Sequence, residues 1–346
     1  MQPNFKLFLG FLLMIVLMLG GCGQEEQAEP NSSEGTDVEQ SGQLALATFG
    51  EGTSWYIYGA TMGEIFRENI EEIQMVDVLP FAGGLENINI LSDGEADLAL
   101  SFSLNNTWAA NGDVAYENAH DEVRTLVGGL DQYYIGILMP TKLVEENDIQ
   151  SIGDIKEKEL PIRLYTLSKG SQGEIAAQQV LDAYGITYED IESYGGEITH
   201  TTLDVTKSDF QNGKVDMYFN PITAGHPAFS EITVQSDVTF IPIEEEYIED
   251  FTEMGYEAAT LPANQFEGQD NEVQTIGMST VLDGTTNLSE DVAYELTKAM
   301  VENEESLQDG HQALKDFDPK TFLEKPSEME LHPGAEKYYK EKGWLE

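Results

Sequence analysis

The sequence predicts a two-lobed α/β protein whose lobes enclose a ligand cleft. Three observations lead there. Strand-like and helix-like stretches alternate through the body of the chain, which argues for parallel sheets covered on both faces. The body, residues 43–346, is longer than a single hydrophobic core usually supports. One layout also occurs twice: a strand, a glycine-containing loop and a helix, then an Asp-Gly or Asn-Gly turn before a short strand containing Asp.

The elements follow in order. Leu44 to Thr48 reads as a strand, followed by a helix near Ile57 to Asn69. Gln74 to Leu79 is a second strand, Leu85 to Leu91 a helix, and Asp93-Gly94-Glu95 turns into the strand Ala96 to Ser101. Thr125 to Gly129 and Tyr133 to Met139 read as further strands. In the middle of the chain, Ile162 to Tyr165 is strand-like and a helix runs from about Glu174 to Ala183, with Gly185 as its C-terminal cap. Leu203 to Gly213 reads as helix and Val215 to Phe219 as strand. Val273 to Val281 is a strand that returns to the first lobe. Asp291 to Glu302 is a helix with Val292, Leu296, Ala299 and Met300 on one face and Ser289 as its cap. Residues 43–134 and 276–346 are expected to form one lobe and 135–275 the other. Open sheets of this kind take ligands at the carboxyl ends of their strands.

The first residues predict the compartment. Lys6 is the only charge before the apolar run Leu7 to Leu19, which closes on Leu19-Gly20-Gly21-Cys22. A basic start, a short apolar stretch and small residues before a cleavage point form an export signal, here residues 1–21. Small residues directly before a cysteine resemble the bacterial lipobox, which implies lipidation of Cys22. Cys22 is the only cysteine in the chain, and lipid attachment explains an odd exported thiol. Residues 22–42 are rich in Glu, Gln, Ser, Asn, Gly and Pro and read as a flexible leash. The body is therefore expected outside the cytoplasm, anchored by lipid and acting as a monomer.

Charge narrows the partners. The chain has 17 Lys and Arg against 64 Asp and Glu, a formal net charge of −47, spread along its length. Nucleic acid is excluded as a partner on that ground. Such a surface suits high salt or high pH, where self-repulsion is screened or tolerated.

Three loops carry the candidate binding chemistry, each between a strand and a helix. The first is Thr48 to Tyr56, with Gly52, Thr53 and Ser54 at the start of a helix, where free amides favour an anionic group. The second is Pro80 to Asn87, with Phe81, Gly83 and Gly84. The third is Thr166 to Gly173, with Lys169, Gly170 and Ser171, where Lys169 is a sparse cation that reads either as solvated or as a partner for a ligand carboxylate. Phe49, Trp55, Tyr56, Tyr58 and Phe81 supply aromatic surface, divided between pocket and core.

Longer segments extend the pattern. Leu85 to Asp97 resembles the stretch after the second ligand loop in the TAXI family of TRAP-transporter solute receptors. Gly213 to Phe219 followed by Ala224-Gly225-His226-Pro227 is similar to that family's next signature, and Leu331-His332-Pro333-Gly334 through Gly343 to its C-terminal ending. The resemblance runs through the body in order. It implies a periplasmic-binding-protein fold of the second type with two crossing strands as hinge, capturing a small carboxylate or amino acid such as glutamate by lobe closure. The partner it implies is a membrane permease driven by a cation gradient. It also implies that Gly52, Thr53, Ser54, Tyr56, Gly83, Gly84, Gly170 and Ser171 face the ligand, with Asn220, Ala224 and Gly225 on the second lobe near the cleft.

The sequence departs from that family in the loops. Pro80-Phe81-Ala82-Gly83-Gly84 stands where the family reads Ser-Thr-Gly-Gly-Ser, and Gly170-Ser171-Gln172-Gly173 where it reads Gly-Ser-Gly-Thr. Lost hydroxyls and added aromatic surface shift the expected ligand away from a small dicarboxylate.

No enzyme is expected, and no cofactor or metal. His120, His200, His226, His311 and His332 lack zinc-like spacing, and no nucleophile elbow occurs. His332 reads as structural, His226 as cleft-adjacent, and Asp97 and Asp216 as capping residues. Two other classes fit the same pattern: a receptor for a different transporter or a sensor, and an extracytoplasmic enzyme on this fold.

Overall fold

The structure is a computed structural model that describes residues 42–51, 53–81, 83–324 and 327–346. The predicted export signal, Cys22, the leash up to residue 41 and Gly52 lie outside the described residues. None of the described helices is long and apolar enough to cross a membrane.

The strands are β1 (Gln43–Thr48), β2 (Met75–Pro80), β3 (Leu98–Phe102), β4 (Val123–Val127), β5 (Gln132–Pro140), β6 (Arg163–Thr166), β7 (Glu197–His200), β8 (Met217–Ile222), β9 (Val238–Phe240), β10 (Glu257–Leu261) and β11 (Val273–Thr285). Their order is β2-β1-β3-β11-β5-β8-β6-β7, with β4 and β10 also on β11 and β9 on β5. β1 is parallel to β2 and β3, and β6 is parallel to β7 and β8. β11 is antiparallel to β3, and β5 is antiparallel to β8. Each half is thus the same unit, three parallel strands edged by one antiparallel strand: β2-β1-β3-β11 and β7-β6-β8-β5. This is a two-lobed periplasmic-binding-protein fold of the second type.

β11 joins the two units. Its first half pairs with β10 and β5, through Gly277–Tyr134 and Ser279–Gln132. Its second half pairs with β3 and β4, through Thr280–Phe102 and Thr285–Val123. The sequence reading ended this strand at Val281, four residues early. Asp283-Gly284-Thr285 scores poorly for strand on its own, but it lies between two neighbours that satisfy its backbone.

The helices cover the sheets as periodicity dictates. Ser54–Asn69 buries Trp55, Tyr58, Met62, Ile65 and Phe66, one stripe at helical spacing. It begins three residues earlier than the apolar pattern indicates, because Thr53 caps it by accepting the N–H of Tyr56. Gln172–Ala183 buries Ala176, Ala177, Val180 and Leu181, is capped by Ser171, and is followed by Gly185 at φ +67°. Glu290–Glu302 is capped by Ser289. One apolar core runs through both halves, and a second cluster around Tyr218, Phe229, Phe240 and Phe266 lies with β8 and β9.

Candidate functional site

Loop one places a helix start against the crossing strand. Trp55, in the first turn, is 4% exposed. Its indole N–H donates to Thr280 Oγ1 of β11 at 3.0 Å. Its ring lies 4.7 Å from that of Phe102, which in turn meets Tyr133 edge-on at 5.0 Å. Tyr58, one turn on, donates to Asp131 at 2.8 Å, and Asp131 also accepts the N–H of Thr280. Burial pushes the Asp131 carboxyl up to about 6, against those donors. Trp55 and Tyr58 thus fix the first loop to β11, while Thr53, Ser54 and Tyr56 stay partly exposed and Phe49 is exposed.

Loop two places a second helix start beside the first. Gly83 has φ +98°, and a Cβ there would press on the Phe49 ring at 3.0 Å. Gly84 opens the helix Gly84–Ser92. A Cβ on it would stand 2.5 Å from Asn105 Oδ1 and 3.1 Å from Phe102. Glycine is required here so that backbone and amide can approach closely. Asn87 fixes the loop from below, donating to the carbonyls of Thr48 and Leu100. Phe81 is half-buried against the core.

Loop three comes from the other lobe. Ser171 caps Gln172–Ala183, and the Gly170 N–H donates to Glu174 Oε2 at 3.2 Å. Glu174 is buried and also accepts from Gln178. The amide of Gly170, a residue expected to face the ligand, is therefore taken by a carboxylate of the chain itself. Lys169 and Gly170 are exposed.

The lobes meet at a residue pair absent from the predicted set. Asn105 Nδ2, from the helix Ser103–Asn111, donates to Gln172 Oε1 at 2.7 Å. Asn105 Oδ1 and Gln172 Nε2 are buried atoms left without a partner. Around them, Ser103 Oγ donates to Glu257 Oε1 at 2.9 Å, and that oxygen also accepts the N–H and hydroxyl of Ser279. Trp108 donates to the Met254 carbonyl at 2.9 Å and packs edge-on against Tyr256, whose hydroxyl donates to Gln179 at 2.6 Å. Three helix starts, at Ser54, Gly84 and Gln172, are linked through Trp55, Phe102, Asn105 and Gln172.

The remaining predicted residues lie elsewhere. Asn220 is buried on β8, its amide donating to the Pro221 carbonyl and its Oδ1 without a partner. Ala224 is half-exposed and packs at the second apolar cluster, and Gly225 is exposed with open space around it. His226 stands at the N-cap position of the helix Pro227–Gln235 without making a side-chain capping bond, and lies 6.0 Å edge-on from Phe229. Burial lowers its pKa to about 4, so it is neutral at physiological pH. His332 accepts the Gly334 N–H and approaches the Leu288 carbonyl, a structural cap. Among the described residues no cluster of His, Cys, Asp and Glu is arranged to hold a metal ion.

Side chains from two like lobes thus meet at one junction, the arrangement of a two-lobed periplasmic-binding-protein fold. The chain matches the NMT1-like family over residues 46–343 and belongs to that family. Among solved structures, the periplasmic binding protein BugD aligns with 88% of this chain and 98% of its own, at 13% identity and TM-score 0.50. MatC from Rhodopseudomonas palustris, solved with bound malate, aligns with 87% of this chain and 97% of its own, at 11% identity and TM-score 0.49. A TctC solute-binding protein from Polaromonas aligns with 78% and 86%, at 14% identity and TM-score 0.46.

Proposed function

We propose that this chain is a lipid-anchored extracytoplasmic receptor that captures a small organic ligand between its lobes and presents it to a TRAP-type permease of the TAXI class. The observation that carries this reading is the Asn105–Gln172 hydrogen bond, which joins helix starts from opposite lobes. Such a contact forms only when the lobes close, and a ligand lying between them shifts the balance toward closure.

The lobes on this reading are residues 43–134 with 276–346, and 135–275. β5 and β11 serve as the hinge, with the bending confined to Tyr134–Met139 and Gln274–Ser279. Thr53, Ser54, Tyr56, Gly83 and Gly84 line the first lobe's side, and Gly170 and Ser171 the second's. Residues 1–21 act as the export signal, Cys22 carries the lipid, and the segment to residue 42 is the leash. Ligand transfer, rather than turnover, is the activity.

A thermal-shift panel of amino acids, dicarboxylates, keto acids and aromatic acids in high salt tests it. A ligand at 100 times its Kd adds about 2.7 kcal/mol to stability. An upward shift with one class, accompanied by compaction in X-ray scattering, is the expected result. Chemical conversion of the bound compound, or binding without compaction, overturns the reading.

A further inference from the structure

We infer that the Asn105–Gln172 pair is an amide-recognition element, and that the ligand presents an uncharged carboxamide-type edge to it rather than a carboxylate. This deepens the receptor reading and rests on it.

The argument is one of donors and acceptors. Two side-chain amides that share one hydrogen bond leave one oxygen, an acceptor, and one nitrogen, a donor, outside it. Here these are Asn105 Oδ1 and Gln172 Nε2, both buried and unpartnered. Turning both amides over exchanges the atoms but leaves the same pair, one donor and one acceptor. A carboxylate has only acceptors, so it serves the donor and faces the acceptor with its own lone pairs. A carboxamide, with N–H and C=O side by side, satisfies both. An unmade partner at a buried polar atom costs about tenfold or more in affinity.

The charges nearby point the same way. The acidic side chains around the pair are already engaged within the chain. Glu174 holds the Gly170 N–H, and Glu257 holds Ser103 and Ser279. Among the described residues no Lys or Arg side chain hydrogen-bonds or ion-pairs with Asn105, Gln172, Glu174 or Glu257, and Lys169 is exposed. A dianion spanning both helix starts would meet Glu174 at the second. Beside Asn105, the Trp55 and Phe102 rings, tilted at 56° to one another, form an apolar corner.

The test uses the full chain in detergent and two isosteric pairs, glutamine with glutamate and nicotinamide with nicotinate, measured by titration calorimetry. The expected result is that in at least one pair the amide binds tenfold or more tightly than the acid. Gln172→Glu keeps the acceptor for Asn105 but removes the donor, and should erase that preference in protein shown by circular dichroism to be folded at the titration temperature. Asn105→Asp should do the same. If the acids bind as tightly as the amides, the inference fails while the receptor reading stands. If neither amide binds, the inference also fails, and the receptor reading is then decided by its own broader panel. Retention of the preference by Gln172→Glu likewise overturns it.

Discussion

Asp97 and Asp216 close the same pair of hydrogen bonds in opposite lobes. The Asp97 N–H donates to the Ala45 carbonyl at 2.9 Å, while its Oδ2 accepts the Ala45 N–H at 2.8 Å. The Asp216 N–H donates to the Arg163 carbonyl at 3.0 Å, and its Oδ2 accepts the Arg163 N–H at 2.9 Å. Each Asp stands one residue before a strand that pairs parallel with the strand carrying its partner residue, β3 against β1 and β8 against β6. A side chain thus extends each ladder by one bond. The short Asp after a Gly turn is the trace of this in the sequence.

Replacing either Asp tests its role. Asp97→Ala should cost about 1–3 kcal/mol, because the Ala45 N–H is left without its acceptor. Asp97→Asn, which keeps an accepting oxygen, should cost much less. Asp216→Ala should cost more than Asp97→Ala, since Asp216 also takes a bidentate contact from the Arg163 guanidinium. Urea midpoints at constant slope would measure all three. Equal losses for Asp97→Ala and Asp97→Asn would remove the acceptor argument.

Most of the strands and the longer helices were legible because alternation and helical spacing are local properties, whereas the short strands β7, β9 and β10 and the polar helix Ser103–Asn111 were not read. The three loops were legible too, as glycines between a strand and a helix. What the sequence did not disclose is which residues those loops meet. Asn105 sits in Leu104-Asn105-Asn106-Thr107 with no motif, and Gln172 reads as a departure from an expected Gly-Thr. Their meeting, 67 residues apart, depends on how the lobes pack. Glu174 was read as the first residue of a helix, but the turn of the backbone at Gly170 brings that amide under its carboxylate. Trp55 and Tyr58 were assigned to an aromatic set divided between pocket and core. Only the placement of β11 assigns them partners, Thr280 and Asp131.

Gly84 gives the sharpest packing prediction. An alanine Cβ would stand 2.5 Å from Asn105 Oδ1, so the amide must move or the helix start must shift. Gly84→Ala should therefore cost about 1–3 kcal/mol in stability through overpacking. It should also weaken ligand binding, because Asn105 is displaced from Gln172. Gly94→Ala, at φ +71° with open space around it, carries backbone strain but no such contact. It should lower stability without altering affinity. Parallel calorimetric titrations and melts of the two variants separate these effects; equal loss of affinity would count against the Asn105 contact.

Trp55→Phe isolates one hydrogen bond. Phenylalanine keeps an aromatic ring against Phe102 but cannot donate to Thr280 Oγ1. The expected loss is about 1–3 kcal/mol, combining the lost bond with some lost packing. A double-mutant cycle with Thr280→Val should show coupling of about 0.5–3 kcal/mol. Strict additivity would mean that the indole N–H contributes nothing.

Asp283 sets a pH dependence. It is fully buried on β11 and accepts from Ser101, Asn106 and Thr125. Burial raises its pKa from 3.8 to about 6 in spite of those donors. Between those values the folded chain binds more protons at this site than the unfolded chain does. The site's contribution is therefore fully present below about pH 4 and is lost as pH rises through about 6. A shift of this size corresponds to about 3 kcal/mol across the window. Asp283→Asn has no proton to lose, so the fall in stability from pH 4 to pH 7 should shrink by about that amount, with Asp131 still contributing its own. Urea melts of both proteins at half-unit steps would measure it, and an unchanged slope for Asp283→Asn would refute it.

The net charge of −47 gives the last prediction. Like charges spread over one compact body repel one another more in the folded state than in the expanded chain, where they are farther apart. Raising the salt from about 0.1 M to 1 M shortens the screening length from about 10 Å to about 3 Å, below the usual spacing of surface carboxylates. The urea midpoint should rise steeply over that range with little change in slope, since the surface exposed on unfolding is the same. Sodium chloride and potassium chloride should act alike if screening is the cause. A gain confined to one cation would instead point to specific binding by carboxylates, and no gain at all would mean that the folded surface carries its charge without strain.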